Sequence, residues 1–271
     1  MSAPPVALTI ATSDPSGGAG IQADLKTFSA LGAYGTAVLV ALTAQNTHGV
    51  TGIHVVPTAF ITEQLDTLLS DVNVDAVKIG MLANAEVVRT VAAGLERHRP
   101  PLVVLDPVMV AASGDQLLEP DAVRDLRDRL LPLADLVTPN LPEAATLLGQ
   151  QPAATPDDAE RQAGELRQLG ARGVLLKGGH RTASAESADV YVGSDDRAQW
   201  FRAPRIATTH SHGTGCTLSS AIAALRPRRP DWPSAIDDAK AYLTQALVAA
   251  DELAVGSGHG PVHHFHAWWD A

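Results

Sequence analysis

A single cysteine, Cys216, is all the thiol chemistry in 271 residues, so an internal disulfide is excluded. Basic residues are also scarce. Twenty Lys and Arg stand against thirty Asp and Glu, giving a formal charge of -10 and a pI near 5.4. That balance excludes a broad surface for nucleic acid or anionic membrane, and an anionic ligand would need a local trap. No apolar run reaches the roughly 20 residues that span a bilayer. Met1-Ser2-Ala3-Pro4-Pro5 lacks the basic residues and apolar stretch of a secretion signal. The expected setting is reducing, most simply the cytoplasm, with no membrane or nucleic-acid partner. Repeats, low-complexity tracts and linkers are missing too, so a single domain over residues 1–271 is expected. With 45% hydrophobic and 18% charged residues, such a chain can bury a sizeable core.

What is there alternates. Residues 6–11 are a short apolar strand, followed by the polar loop Ser13-Asp14-Pro15-Ser16-Gly17-Gly18-Ala19-Gly20 and a helix with Ile21, Leu25, Phe28 and Leu31 at helical spacing. Gly32 supplies the C-terminal cap. The loop is neither G-x-G-x-x-G nor a Walker A sequence, so it licenses no dinucleotide or P-loop reading. Residues 37–44 read as a strand buried on both faces, running into Gln45, Asn46, Thr47 and His48. Helices over 58–70 and 85–97 alternate with strands at 76–79 and 102–105, the last ending in Asp106-Pro107-Val108-Met109. An amphipathic helix over 121–130 precedes a strand at 136–138. Then come a helix opened by Pro139-Asn140-Leu141-Pro142-Glu143, a polar-faced helix over 155–169 and a buried strand ending at Lys177. Residues 182–202 suggest an antiparallel hairpin turned at Gly193-Ser194-Asp195-Asp196. A long helix near 233–253 closes the series. This order predicts an α/β chain with a mostly parallel sheet and helices on both faces, whose strand ends would gather the ligand-binding residues.

The most informative stretch is His212-Gly213-Thr214-Gly215-Cys216-Thr217, which opens a small, apolar helix over 214–225. A helix N-terminus presents unpaired N–H groups and partial positive charge, a seat for phosphate. Cys216 lies in that first turn, where the helix field is expected to lower its pKa. Asn140 and Glu143 fit a capping box, and at the same helix mouth they are also placed to hold water around Mg²⁺. Gln45 has an amide able to read a heterocycle edge or to tie down a loop. Lys177 either swings over phosphates or snorkels. In the tail, His259, His263, His264 and His266 lack carboxylates at ligand spacing, which favours aromatic docking around Phe265, Trp268 and Trp269 over a metal.

Seven segments in order carry a resemblance nearly end to end: the loop from Ser13 through Gly20 with Ile21-Gln22-Ala23-Asp24-Leu25-Lys26-Thr27; Leu42-Thr43-Ala44-Gln45-Asn46-Thr47; Val77-Lys78-Ile79-Gly80-Met81-Leu82; Asp106-Pro107-Val108-Met109; Thr138-Pro139-Asn140-Leu141-Pro142-Glu143; Lys177-Gly178-Gly179-His180; and His212 through Leu218. Together they resemble the hydroxymethylpyrimidine/phosphomethylpyrimidine kinases of thiamine biosynthesis, within the ribokinase-like superfamily. The resemblance implies a three-layer α/β/α sandwich without a large lid domain, usually homodimeric. It implies an enzyme that uses ATP and Mg²⁺ to phosphorylate 4-amino-5-hydroxymethyl-2-methylpyrimidine and then its monophosphate. By the same resemblance Gln45 reads the aminopyrimidine, Asp14, Met81 and Val108 belong to the substrate pocket, and Asp106 belongs with the nucleotide. Asn140 and Glu143 organise Mg²⁺-ATP and Lys177 faces the phosphates. Gly213, Thr214 and Gly215 form the anion hole, and Cys216 stands where related kinases carry an aspartate base. Thr12 departs from the glycine usual there and is expected to narrow the pocket mouth.

Three other readings compete. A pyridoxal/pyridoxine kinase, or a dual-specificity vitamin kinase with both activities, shares the fold and the ATP half-site. A cysteine hydrolase would pair Cys216 with His210 or His212, and a non-catalytic pyrimidine sensor would have lost the catalytic set.

Overall fold

A computed structural model describes residues 3–110, 117–179 and 185–269. Alternating side chains of its central strands serve two cores. In β1 (Val6–Ser13), Leu8 and Ile10 enter one face and Ala7 the other. The same alternation holds in β5 (Val103–Leu105), where Val103 and Leu105 share the first core and Val104 the second. This is the pattern of strands covered on both sides.

The described strands form one nine-stranded sheet in the order β3-β2-β1-β4-β5-β6-β7-β8-β9. Parallel pairing joins β1 to β2 (Tyr34–Asn46) and β4 (Ala76–Ile79), and continues through β5, β6 (Leu136–Val137) and β7 (Val174–Leu176). Antiparallel strands flank that block: β3 (Gly49–Val55) at one edge, β8 (Glu186–Val192) and β9 (Ala198–Pro204) at the other. One face carries α2 (Thr58–Leu69), α3 (Ala85–His98), α4 (Pro120–Asp125), α5 (Leu141–Leu148) and α6 (Pro156–Gln168). The other carries α1 (Gly20–Ala30), α7 (Thr214–Leu225) and α8 (Trp232–Val248). The three-layer α/β/α architecture is therefore as expected. Among the described residues no helix is long and apolar enough to cross a membrane.

Local chemistry sets the boundaries. After α1, Gly32 takes φ +71° while Ala33 N–H returns to Phe28 O at 2.8 Å, the closure that a left-handed residue past a helix end allows. Asn84 and Thr155 cap α3 and α6 through their side chains. Phe28 is fully buried, a burial that contributes about 1.5–3 kcal/mol.

Several expectations need correction. Residues 37–44 are not buried on both faces: Leu42 is 44% exposed, and from Thr43 β2 runs past its pairing with β1 and pairs only with β3. What reads as a loop after Gln45 is the tip of that hairpin. The helix expected over 121–130 is α4 followed by a widened π turn, Leu126–Leu130. The last helix ends at Val248, with a short 3-10 turn over Ala250–Glu252. The hairpin of β8 and β9 is present, although its expected start at Thr182 lies outside the described residues, as does His180.

The tail docks through its histidines more than through the aromatics expected to carry it, Trp268 and Trp269 being 67% and 57% exposed. His263 and His264 are buried, Phe265 stacks on Trp269 with centroids 5.2 Å apart, and His264 Nε2 meets Thr217 Oγ1 at 3.1 Å. Burial drives the His264 imidazole from 6.5 down to about 3, helped by the positive neighbour Lys26. A histidine held neutral in the folded protein lets only the unfolded chain take up its proton. Stability is thus intact above about pH 6.5 and is lost progressively toward pH 3. Between pH 6.5 and 5 this amounts to about 2 kcal/mol. The melting temperature of a His264→Gln variant is expected to fall less than wild type between pH 7 and 5. Equal falls in calorimetry would assign the acid sensitivity elsewhere.

Candidate active site

The C-terminal ends of the parallel strands open onto a cavity of about 750 Å³. Its wall brings together Asp14, Gln45, Met81, Asp106, Val108, Asn140, Glu143, Lys177, Gly213, Thr214, Gly215 and Cys216. Every site residue singled out in the sequence therefore reaches one place.

The floor is the start of α7. Gly213 caps it with φ +80°, and a Cβ there would overlap Gly18 O, so the loop after β1 and the turn before α7 interlock through glycine. Thr214 N–H is engaged by Ser211 O at 3.2 Å, whereas Thr217 N–H already returns to Gly213 O. Among the described residues no backbone bond occupies the N–H of Gly213, Gly215 or Cys216, so of the four donors in the Gly213 to Cys216 stretch one, that of Thr214, is spent. Thr214 contributes through its hydroxyl, which closes the turn onto Ser211 O at 2.6 Å.

Against this floor stands an ion pair. Lys177 Nζ donates to Asp106 Oδ1 at 2.8 Å, and a Cβ on Gly215 would lie 3.3 Å from the same ammonium. Asp106 is buried and also accepts from Thr138 Oγ1 and Ser219 Oγ, at 3.3 and 3.2 Å. Lys177 neither snorkels nor swings free. Burial works to lower it, but Asp106 and Glu143 outweigh that and hold the ammonium above its ordinary range.

Asn140 and Glu143 form the capping box that their spacing predicts. Asn140 Oδ1 accepts from Glu143 N–H at 2.8 Å and Glu143 Oε2 from Asn140 N–H at 2.7 Å. Burial pushes the Glu143 carboxyl up to about 7, with Lys177 working against the rise and Asp106 for it. A cation at this mouth would reverse that shift. Among the described residues no group of three His, Cys, Asp or Glu is placed to hold a metal unaided. The donors present suit Mg²⁺ shared with nucleotide oxygens and keeping most of its waters, since Mg²⁺ takes few protein ligands.

The acceptor side lies across the cavity. A bulge between Ala44 and Gln45 turns the Gln45 amide inward, 3.1 Å from Thr43 Oγ1 and 3.4 Å from His212 Nε2. Asp14 is more occupied than its substrate role implies. Its Oδ1 accepts from Ser16 N–H and Oγ, and its Oδ2 from Ala19 N–H and His212 Nε2, both at 2.8 Å. Burial opposes ionisation, but His212 and Ser16 together hold the carboxyl below its usual range. Asp14 therefore shapes the loop while lining the cavity. Thr12 is buried and turns its hydroxyl to Met81 O at 3.1 Å, joining the ends of β1 and β4.

One expectation fails. Burial pushes the Cys216 thiol up to about 11, although Lys78 pulls it down, while Asp24 and Asp106 push it further. The half-charge of a helix end does not outweigh loss of water around a thiolate. The hydrolase pairing also finds no support. His212 Nε2 is bonded to Asp14 and His210 Nδ1 lies 3.1 Å from Ala250 O. Two further charged groups on the wall escaped the sequence reading. Lys240 meets Asp189 at 2.5 Å from the middle of α8, where no motif signals it, and Lys78 sits inside an otherwise apolar strand.

Residues 14–263 match the family model described as phosphomethylpyrimidine kinase. The hydroxymethylpyrimidine/phosphomethylpyrimidine kinase of Salmonella typhimurium is 55% identical over 97% of this chain and 98% of its own. Among solved structures, the phosphomethylpyrimidine kinase of Clostridium difficile is 40% identical, with a TM-score of 0.80 over 90% of this chain and 99% of that one. The pyridoxal kinase of Staphylococcus aureus in complex with ADP is 32% identical, with a TM-score of 0.89 over 98% and 96% of the two chains.

Proposed function

The chain belongs to the phosphomethylpyrimidine kinase family and is a hydroxymethylpyrimidine/phosphomethylpyrimidine kinase, and from that premise we propose how its residues divide the work. The reaction moves the γ-phosphoryl group of ATP to the hydroxymethyl oxygen of 4-amino-5-hydroxymethyl-2-methylpyrimidine, then a second one to the monophosphate. The observation that carries the assignment is the meeting of Gly215, Cys216 and Lys177 on the wall that also holds Gln45 and Met81.

Phosphoryl transfer passes through a loose transition state with charge spread over the moving oxygens, so placement and field do most of the work. Gly215 and Cys216 N–H groups grip those oxygens, and the Lys177 ammonium neutralises them from beside Gly215. Mg²⁺, held through Glu143 and Asn140 with its waters, supplies charge neutralisation on the nucleotide phosphates when bound. Gln45 pairs with the aminopyrimidine edge while Met81 and Val108 pack on the ring. Cys216 receives the hydroxymethyl proton. Its thiol holds a proton in the resting site, so the form that acts is the minor thiolate population, its own proton released to solvent, which takes the hydroxymethyl proton as the new P–O bond forms and the alcohol acidifies. For the second transfer the acceptor is a phosphate oxygen, ionised at neutral pH and needing no base.

Gln45→Ala is expected to raise KM for the pyrimidine about 5- to 150-fold with a smaller change in kcat. That range corresponds to about 1–3 kcal/mol for unpaired buried polar atoms. An unchanged KM would remove Gln45 from recognition. The assignment as a whole is tested by ADP release across a panel of hydroxymethyl heterocycles. The aminopyrimidine and its monophosphate are expected to exceed pyridoxal in kcat/KM, and the reverse order would overturn the substrate assignment in favour of the B6 vitamers. Identity of 55% to the pyrimidine kinase against 32% to the pyridoxal kinase supports the first order. The same proposal includes a cytoplasmic homodimer, for which Leu42 and Ile53 on the exposed edge hairpin, 44% and 40% accessible, offer apolar surface. Light scattering after gel filtration tests the dimer.

A further inference from the structure

Beneath the catalytic turn lies a buried charge pair that the phosphoryl-transfer scheme leaves without a role. Lys78, fully buried in β4, donates to Asp24 Oδ1 and Oδ2 at 2.8 and 2.9 Å. Asp24, equally buried in α1, also accepts from Thr9 Oγ1 at 2.6 Å and from Ser220 Oγ at 2.7 Å. All four partners are on different elements: β1, β4, α1 and α7. A pair so completely desolvated is a poor way to gain stability, since apolar residues of similar volume commonly do as well or better.

Its position is more telling. Ser220 lies one helical turn beyond Cys216 on α7, and Asp24 lies one turn beyond Gly20 on α1. Ser220 Oγ is bonded to Asp24, which ties α7 to α1 at that level. Cys216 and Ser220, four residues apart, share one face of α7. The Asp24–Lys78 pair, reached through Ser220, therefore lies one helical turn past Cys216, about 5 Å along the α7 axis. Lys78 itself reaches the cavity wall that Cys216 lines. Gly80 makes room for this: a Cβ there would stand 2.8 Å from Lys78 Nζ and 3.1 Å from Ala11 Cβ.

We propose that Lys78 is a positioning residue for the kinase reaction: anchored by Asp24, it holds a fixed positive charge beneath Cys216 that stabilises the thiolate during proton transfer from the acceptor. The inference rests on Cys216 as proton acceptor, which its test keeps separate. The other charged or titratable groups facing the sulfur are Asp106 and Lys177 at the ends of β5 and β7, Glu143 behind them, and the imidazoles of His212 and His264 beside the first turn of α7. Lys78 is the foremost of these in favouring the thiolate, and Asp24 the foremost charge opposing it.

Because Cys216 is the only cysteine, the iodoacetamide labelling rate of the whole ligand-free protein, followed by mass spectrometry from pH 7 to 10 against the rate of a free thiolate, reads the thiolate fraction of this one sulfur, and hence a titration midpoint lying above that range, whether or not the enzyme turns over. Lys78→Met is expected to move the labelling midpoint up by about one pH unit or more, and Asp24→Asn to move it down. Ser220→Ala, which alters packing and no charge, leaves the midpoint in place. Should Lys78→Met fail to fold, Lys78→Met with Asp24→Asn removes both charges together. That pair of changes is expected to raise the midpoint by a smaller amount, because the ammonium outweighs the carboxylate. Midpoints that stay at the wild-type value in the lysine variants, or a Ser220→Ala shift as large as theirs, would overturn the proposal. Turnover by Cys216→Ala at the wild-type rate would instead remove Cys216 from catalysis without touching the labelling result.

Discussion

Cys216→Ala is expected to lower kcat for the hydroxymethylpyrimidine by about 10²–10⁴-fold, the usual loss when a positioned proton acceptor is deleted. KM for the pyrimidine should stay within a few-fold, because Gln45, Met81 and Val108 are untouched. The monophosphate provides an internal control. Its acceptor oxygen carries a phosphate second pKa near 6, so at neutral pH most of it needs no base. The same variant should therefore lose far less in the second transfer than in the first. The measurement is ADP release with each acceptor in turn, at saturating ATP. Equal losses with both acceptors would mean that the sulfur, or the helix turn bearing it, serves the transferring phosphoryl group and not the alcohol proton. The variant removes only a side chain from the α7 turn, leaving the Gly215 and Cys216-position N–H groups in place, so the anion seat itself remains.

Much of this site was legible because its residues obey local rules. Asn140 and Glu143 are spaced as an N-cap and its third residue, and they pair that way. Gly213 precedes an apolar helix, and its positive φ is what the interlocking with Gly18 demands. Parallel strands announce themselves as short apolar runs between helical periods, which places all their ends on one side. What stayed hidden depends on the long-range environment. None of the seven residues of β3 is buried, and with glycines at positions 49 and 52 it shows no apolar period. The π turn at Leu126–Leu130 keeps helical burial of Leu126 and Leu130 and cannot be told from an α-helix by composition.

The failed expectation at Cys216 and the overlooked charge at Lys78 share a cause. Cys216 was expected to be acidic because a helix end is visible in sequence, whereas the desolvation that outweighs it belongs to the packing of α1, β4 and β5 around α7. Lys78 stands between Val77 and Ile79 in a strand otherwise suited to a core, and its partner Asp24 is 54 residues away on a helix that no motif links to it. Sequence shows a charge in an apolar strand. Only the fold shows that the charge is paired and where it points. Asp14 illustrates the reverse case, a motif residue whose two oxygens are spent on the loop that carries it.

Lys177→Met should be nearly as severe as loss of Cys216, and it separates two functions of one ammonium. Lys177 neutralises Asp106, which is 1% exposed, and it lies beside Gly215, where the migrating phosphoryl oxygens are gripped. Methionine keeps the length and removes the charge. Stripping one partner from a buried pair costs about 3–5 kcal/mol, so the melting temperature is expected to drop by many degrees. Loss of a preorganised donor at the developing charge should lower kcat/KM for ATP by a further 10²–10³-fold or so in the protein that remains folded. Pairing Lys177→Met with Asp106→Asn removes the orphaned carboxylate, so the melting temperature should largely return while kcat/KM does not. Thermal melts and ADP release on the single and double variants decide the matter. If activity returned together with stability, Lys177 would be acting only as the counter-ion of Asp106, and the phosphate contact would have to be reassigned to the Gly215 and Cys216 N–H groups alone.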